Sequence, residues 1–306
     1  MTNKLLLILL ILCSIKASGQ MDFQDSTAQV ITYWDLGEKY EYAVTFQQLS
    51  YSEKDTTKNE TMTYDVEVTV IDSTENNYVV KWFYKNIETN SKNPLIQKLV
   101  KASEDIEVDI KLDALGVIQE VVNWEEVRDY MVKSIGEMKS DLPEIPEIEK
   151  MFQQIESTYS SKASIEAAAI QDVQQFHNFH GGKYPLNEKL TGQIKTPNIY
   201  YPEKPFDTNL IVILEELDEE NSQFRIRSIH EVDTEQLTQS AFQYVSELFS
   251  NLNQKIPKRE EFENLTNSVE TVSRIHNTGW VLESILWKEV FVDGLTNMEI
   301  RTIQMK

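Results

Sequence analysis

The chain has 306 residues, 41% apolar and 10% aromatic, with 29 Lys and Arg against 50 Asp and Glu, a net charge of −21. That apolar and aromatic content excludes a wholly disordered chain, and the length suffices for one large β-rich domain or two ordinary ones. The acidic balance argues against nucleic acid as a partner, because phosphate binding needs clustered Lys and Arg.

The chain opens as an address. Lys4 precedes the apolar run Leu5–Ile15, which is 11 residues long. Spanning a bilayer takes roughly 20. The run fits a signal-peptide core, and Ala17-Ser18-Gly19 suits cleavage before Gln20, so residues 1–19 read as a signal peptide and 20–306 as one secreted or periplasmic domain. Cys13 offers an alternative, a lipoprotein anchored at that residue, although Leu12 rather than a small residue precedes it. With ordinary cleavage the mature chain has no Cys, hence no disulfide and no thiol nucleophile. No second run is long enough for a transmembrane helix.

The mature chain begins with strands. Tyr40, Tyr42, Val44 and Phe46 alternate, as do Met62, Tyr64, Val66, Val68 and Val70 with Thr63, Asp65, Glu67 and Thr69 opposite. This is the period of a half-buried strand. Tyr78 to Ile87 is apolar on both faces at first, and Ile106 to Leu112 alternates again. Asp113-Ala114-Leu115-Gly116 turns the chain into Val117–Val122.

Helices follow as an insertion near 123–182. Asn123 with Glu126 reads as a capping box, and Val127, Met131, Ile135 and Met138 form one helical stripe. Pro143 and Pro146 separate this helix from a second with the stripe Ile148, Phe152, Ile155 and Tyr159. A third is expected from about Ser164 to His180, ended by Gly181-Gly182.

Strands resume near Leu190. Pro197, Pro202 and Pro205 mark a loop, then Leu210–Leu217 and Phe224–Val232 read as strands. Asp233 and Gln236 cap a helix carrying Leu237, Ala241, Val245, Leu248 and Leu252. Val269–Ile275, Trp280–Val292 and Met298–Ile303 complete the set, the last two joined at Asp293-Gly294. The pattern predicts an α+β, mainly β protein, a large curved antiparallel sheet of about ten strands with about four packed helices. The two halves also share a layout, a long-strand meander with a turn glycine, that reads as a faint internal repeat.

Several short motifs carry a resemblance: the signal peptide, the Tyr40/Tyr42 strand, Leu112-Asp113-x-x-Gly116, Tyr184-Pro185, and Thr278-Gly279-Trp280. Together the layout resembles a family of uncharacterised secreted proteins of Gram-negative bacteria. That resemblance implies no activity and supplies no catalytic residues. The overall plan is also similar to the curved sheets of periplasmic lipoprotein carriers, a likeness of fold, which does not give function.

The chemistry-bearing residues narrow the function classes. His177 and His180 stand three apart at a helix end, spacing that can put two imidazoles on one side and so makes them a candidate metal pair. The alternative is two histidines facing the negative end of their helix. There is no Gly-x-Ser-x-Gly elbow, no Gly-rich phosphate loop and no Asp-x-Asp-x-Asp calcium loop. Between Glu104 and Glu156 lie 15 acids and 5 bases, a solvated acidic face by default. The 13 Tyr, 12 Phe and 5 Trp fall mainly in strands, several apolar on both faces. Either helices cover the second face or the sheet encloses a cavity. The expected function is therefore non-enzymatic binding of an apolar small molecule or lipid in the concavity of the sheet, with no cofactor, and with Tyr42, Trp82, Trp287 and His230 as candidate lining residues. A protein-interaction or envelope-structural module using the acidic helices against an envelope protein is the alternative, and a hydrolase with an unrecognised site the third.

Overall fold

The computed structural model describes residues 20–52, 55–139, 146–198, 200–201, 203–251, 254–262, 265–292 and 294–306. The signal segment, Cys13, Pro143, Pro202, Leu252 and Asp293 lie outside them. In chain order the elements are β1 (Met21–Asp22), β2 (Thr27–Gln29), β3 (Lys39–Ser52), β4 (Asp55–Ser73), β5 (Asn77–Thr89), α1 (Pro94–Ala102), β6 (Glu107–Asp113) and β7 (Ile118–Val121). Then come α2 (Trp124–Lys139), α3 (Pro146–Thr158), α4 (Lys162–Ser164), a π-helical turn (Ile165–Ala169), α5 (Gln171–Phe176), β8 (Lys183–Pro185) and β9 (Lys189–Thr196). The chain closes with β10 (Phe206–Asp218), β11 (Gln223–Val232), α6 (Thr234–Asn251), β12 (Thr266–His276), β13 (Val281–Val292) and β14 (Leu295–Met305).

Eleven strands form one antiparallel sheet in the order β7-β6-β5-β4-β3-β14-β13-β12-β11-β10-β9. It is α+β, mainly β, as the alternation predicts, and it does not close into a barrel. The first meander runs outward from β3 to β7, and the second runs inward from β9 to β14. The last strand, β14, pairs with β3, so the two halves meet in the middle of the sheet. The segment from Val122 to Glu188 must therefore travel from one sheet edge to the other. It does so as a helical excursion across one face, pinned at its far end by the small sheet β1-β2-β8.

Alternation decides which side is covered. Tyr42 and Val44 of β3, Val66, Val68 and Val70 of β4, Val80 and Trp82 of β5, and Ile110 and Leu112 of β6 face the helices and are buried. Their neighbours Glu41, Asp65, Glu67 and Lys85 face the other way, into a lattice of ion pairs such as Lys85–Glu41 at 2.6 Å and Lys306–Asp65 at 2.7 Å. Phe176, at the end of α5, presses edge-on against Tyr42 (5.4 Å between centroids) and Trp82 (5.3 Å). Such contacts add about 1 kcal/mol each beyond the area they bury.

Three local expectations change and a fourth, the Asp233 cap, holds. Asn123 does not cap α2 with its side chain: its amide clamps β6 instead, accepting from Asp109 N (2.8 Å) and donating to Glu107 O (3.1 Å). The helix expected from about Ser164 to His180 is broken, because the π-helical turn is followed by Ile170 at φ −107°, ψ 38° before α5 begins. Asp233 does cap α6, accepting from Gln236 N at 2.8 Å, while the Gln236 side chain reaches Asp207 rather than back to the cap. Helix α1 is an addition to the expected set, although Asn93-Pro94 announces it: Asn93 Oδ1 accepts from Leu95 N at 3.0 Å with Pro94 in the first turn.

Candidate functional site

Where the excursion crosses β4 to β6 it leaves a partly open cavity of about 330 Å3. Its sheet wall is Met62 and Tyr64 of β4, Tyr84 and Ile87 of β5, and Ile106 and Val108 at β6. Its helical wall is Leu99, Val100 and Ser103 at α1, Val127 of α2, Tyr159, then Ile165, Ala168 and Ala169 of the π-helical turn and the run Ile170–Asp172. Arg301 of β14 also lines it.

A bulge shapes the sheet wall. Between the pairs Thr63–Glu88 and Asp65–Lys85, β5 carries an extra residue, with Asn86 at φ 56°. The Asn86 amide donates to Asp65 Oδ2 at 2.8 Å and holds the kink. A bulge tilts the strand and redirects side chains, here beside the cavity wall residues Tyr64 and Ile87.

The side at Arg301 is polar. Arg301 Nε lies 2.9 Å from Asp172 Oδ1, the side chains being 12% and 9% exposed. Arg301 Nη2 donates to Gln171 Oε1 at 2.7 Å, and Tyr64 Oη donates to the other Asp172 oxygen at 2.7 Å. The Arg301 guanidinium also sits over the Phe46 ring at 5.3 Å. Burial, reinforced by the nearby Asp172 charge, pushes the Tyr64, Tyr84 and Tyr159 hydroxyls up from their ordinary pKa, the first two strongly. All three are therefore neutral donors at physiological pH. The Tyr84 and Tyr159 hydroxyls have no hydrogen-bond partner among the described residues.

The histidine pair lies in solid core, away from the residues that line the cavity. His177 Nδ1 meets Gly116 O at 2.9 Å and His180 Nε2 meets Gly279 O at 3.0 Å. A carbonyl only accepts, so those nitrogens carry the protons, and His177 Nε2 and His180 Nδ1 are bare lone pairs without partners among the described residues. The rings are 4.7 Å apart, walled by Trp34, Phe176 and the Trp34–Trp280 stack. Burial lowers both pKa values, His177 well below its ordinary value with His180 adding to the effect, and His180 to about 4. Both acceptor glycines are at φ +87°, and a Cβ on Gly116 would stand 2.6 Å from His180 Cδ2. Among the described residues no three His, Cys, Asp or Glu are grouped to hold a metal ion.

None of the four expected lining residues reaches the cavity. Tyr42 and Trp82 come together across Phe176, but as packed core. Trp287 pairs with Ile300 and Glu270 on the opposite face of the sheet, one residue past Leu286, which shares the covered face with Arg301. His230 is on the covered face, between Leu210 and Val269, at the far half of the sheet. Two signals could have pointed to the cavity. One is Arg301, a cation on the strand face that also carries Ile303 and Met305. The other is the Asn93-Pro94 cap, which would have brought Leu99 and Val100 into the reckoning.

No protein-family model matches the chain, and no curated protein does. Among solved structures it is similar to lipovitellin, from a structure of lipid–protein interactions, at 10% identity and TM-score 0.38, over 89% of this chain and 25% of that one. The chain thus spans about a quarter of lipovitellin's length. A protein described as a lipoprotein from Parabacteroides distasonis aligns at 9% identity and TM-score 0.25, over 91% and 99% of the two chains. A porin-like protein from Bacteroides uniformis aligns at 7% identity and TM-score 0.18, over 86% and 95%. Similarity this low carries no argument about function. Among the described residues no helix is long and apolar enough to cross a membrane.

Proposed function

We propose that this is a non-enzymatic secreted or periplasmic protein that holds one small apolar molecule between its sheet and its helical excursion. The observation that carries this reading is the cavity of about 330 Å3 walled by Met62, Ile87, Leu99, Val100, Val108 and Val127. It sits at the low end of the range for ligand pockets, roughly 300–1,000 Å3, and pairs an apolar wall with a few convergent polar groups. That size suits a single chain or one compact ring system. The two acyl chains of a phospholipid exceed it.

The direct experiment is mass spectrometry of organic extracts from protein purified out of a periplasm. The expected result is one apolar molecule near stoichiometric amount. An empty extract, together with no binding of added short alkanes or alcohols by the folded protein, contradicts the reading.

A further inference from the structure

We propose that the polar side of the cavity selects an uncharged oxygen-bearing head group, so that the ligand is a neutral single-chain amphiphile of the alcohol type rather than a fatty acid anion. This rests on the binding reading above and deepens it.

Charge balance at Arg301 is the first argument. Its guanidinium is a ready partner for a carboxylate, but its charge is already matched by Asp172 at 2.9 Å, although the Nε–H is not aligned to hydrogen-bond that carboxylate, and Gln171 accepts from Nη2. The buried pair is neutral as it stands. A ligand carboxylate would set two acids against one guanidinium in a site where both partners are nearly buried. An ion left without a full counter-charge in such a place is strongly disfavoured. Asp172 cannot readily turn aside to make room, because Tyr64 Oη holds its second oxygen at 2.7 Å.

The unused donors are the second argument. Tyr84 and Tyr159 both line the cavity near Asp172, and neither hydroxyl is engaged by a described residue. A tyrosine hydroxyl donates one hydrogen bond and accepts others. A head-group hydroxyl or carbonyl oxygen can be met by both without bringing charge. The apolar stem would then run along Leu99, Val100 and Val108 toward α1 and α2.

The test titrates the purified full-length secreted protein at neutral pH with n-hexane, n-hexanol and hexanoate, followed by protein-observed NMR. Hexanol should bind about fivefold or more tightly than hexane, as expected for one net hydrogen bond, and more tightly than hexanoate by at least that factor. Tyr84→Phe with Tyr159→Phe should erase the advantage of hexanol over hexane, and the variant's dispersed NMR spectrum reports that it is folded. In Asp172→Asn, which frees the guanidinium, the preference should turn toward hexanoate. Hexane binding with no gain for hexanol, or hexanoate binding best to the unmodified protein, overturns the head-group assignment and leaves the binding reading standing. Failure of all three probes overturns both.

Discussion

Under the helical excursion, the first half of the sheet, β3 to β7, is mainly apolar: Val66, Val68, Val80, Trp82, Ile110 and Leu112 are all fully buried. Across β11 to β13 the same face keeps buried apolar residues at one end, Phe224, Ile226, Ile275 and Val281, and adds hydroxyls beside them. Ser228, Thr271, Ser273 and Ser284 form a buried polar stripe there. It is read by the excursion's own amides, Asn178 donating to Ser228 Oγ at 3.1 Å and Gln175 to Ser284 Oγ at 3.1 Å. Beyond the stripe, His230, Leu210 and Lys288 are only half-buried. One half thus holds the helices by apolar packing and encloses a cavity doing so. The other fixes where the last helical turn comes to rest, through hydrogen bonds that tolerate little displacement. Apolar contact supplies strength and polar contact supplies register.

The comparison can be broken hardest where the halves meet. Asp172→Ala leaves the Arg301 guanidinium buried beside the cavity without its partner, and should cost about 3–5 kcal/mol in urea unfolding. The double variant with Arg301→Leu should recover much of that. Phe176→Ala removes the ring that keys α5 between Tyr42 and Trp82 and should likewise cost about 3–5 kcal/mol. Leu286→Ala, half-buried on the other side of the polar stripe, should cost about 1 kcal/mol. Equal losses at Phe176 and Leu286 would remove the contrast between the halves.

Acid supplies a graded version of the same test. The buried imidazoles are neutral in the folded chain, so the unfolded chain binds more protons once pH falls below the ordinary histidine value of 6.5. Stability is therefore lost as pH drops from 6.5 toward the folded His180 value of about 4, by about 3 kcal/mol from that residue. Urea midpoints from pH 7 down to pH 4 should fall less steeply in His180→Gln than in the unmodified protein. Parallel slopes would deny the pair its role. The smallest effect belongs to the charged outer face: Lys85→Ala, which breaks the pairs with Glu41 and Glu67, should cost under about 1 kcal/mol, less still in high salt.

Strands were legible because their signal is local. The alternation of Tyr64, Val66, Val68 and Val70 with Asp65, Glu67 and Thr69 is set by one covered face, and it places β4 without reference to any neighbour. The stripe Val127, Met131, Ile135 and Met138 is likewise buried as α2 requires. The break at Ile170 was not legible, since Ser164 to His180 reads as one continuous helical run and the interruption answers to distant partners: Ser284 for Gln175 and Gly116 for His177. The cavity was hidden for the same reason. Its walls come from β4, β5, β6, α1, α2, the π-helical turn and β14, and no stretch of sequence records their meeting. Choosing aromatics for their chemistry and place in the strands selected Tyr42 and Trp82, which are packed core, and Trp287, which is half-buried on the outer face. Large aromatics are the residues most able to fill space, so a cavity is better sought where Ala168 and Ala169 leave it unfilled.

The most direct measurement is anomalous diffraction from a crystal soaked in bromohexanol. The account predicts a bromine peak between Leu99, Val100 and Val108, with the hydroxyl at Tyr84 and Tyr159. A bromine peak only on the outer face of the sheet, or none in a well-diffracting crystal, would contradict it.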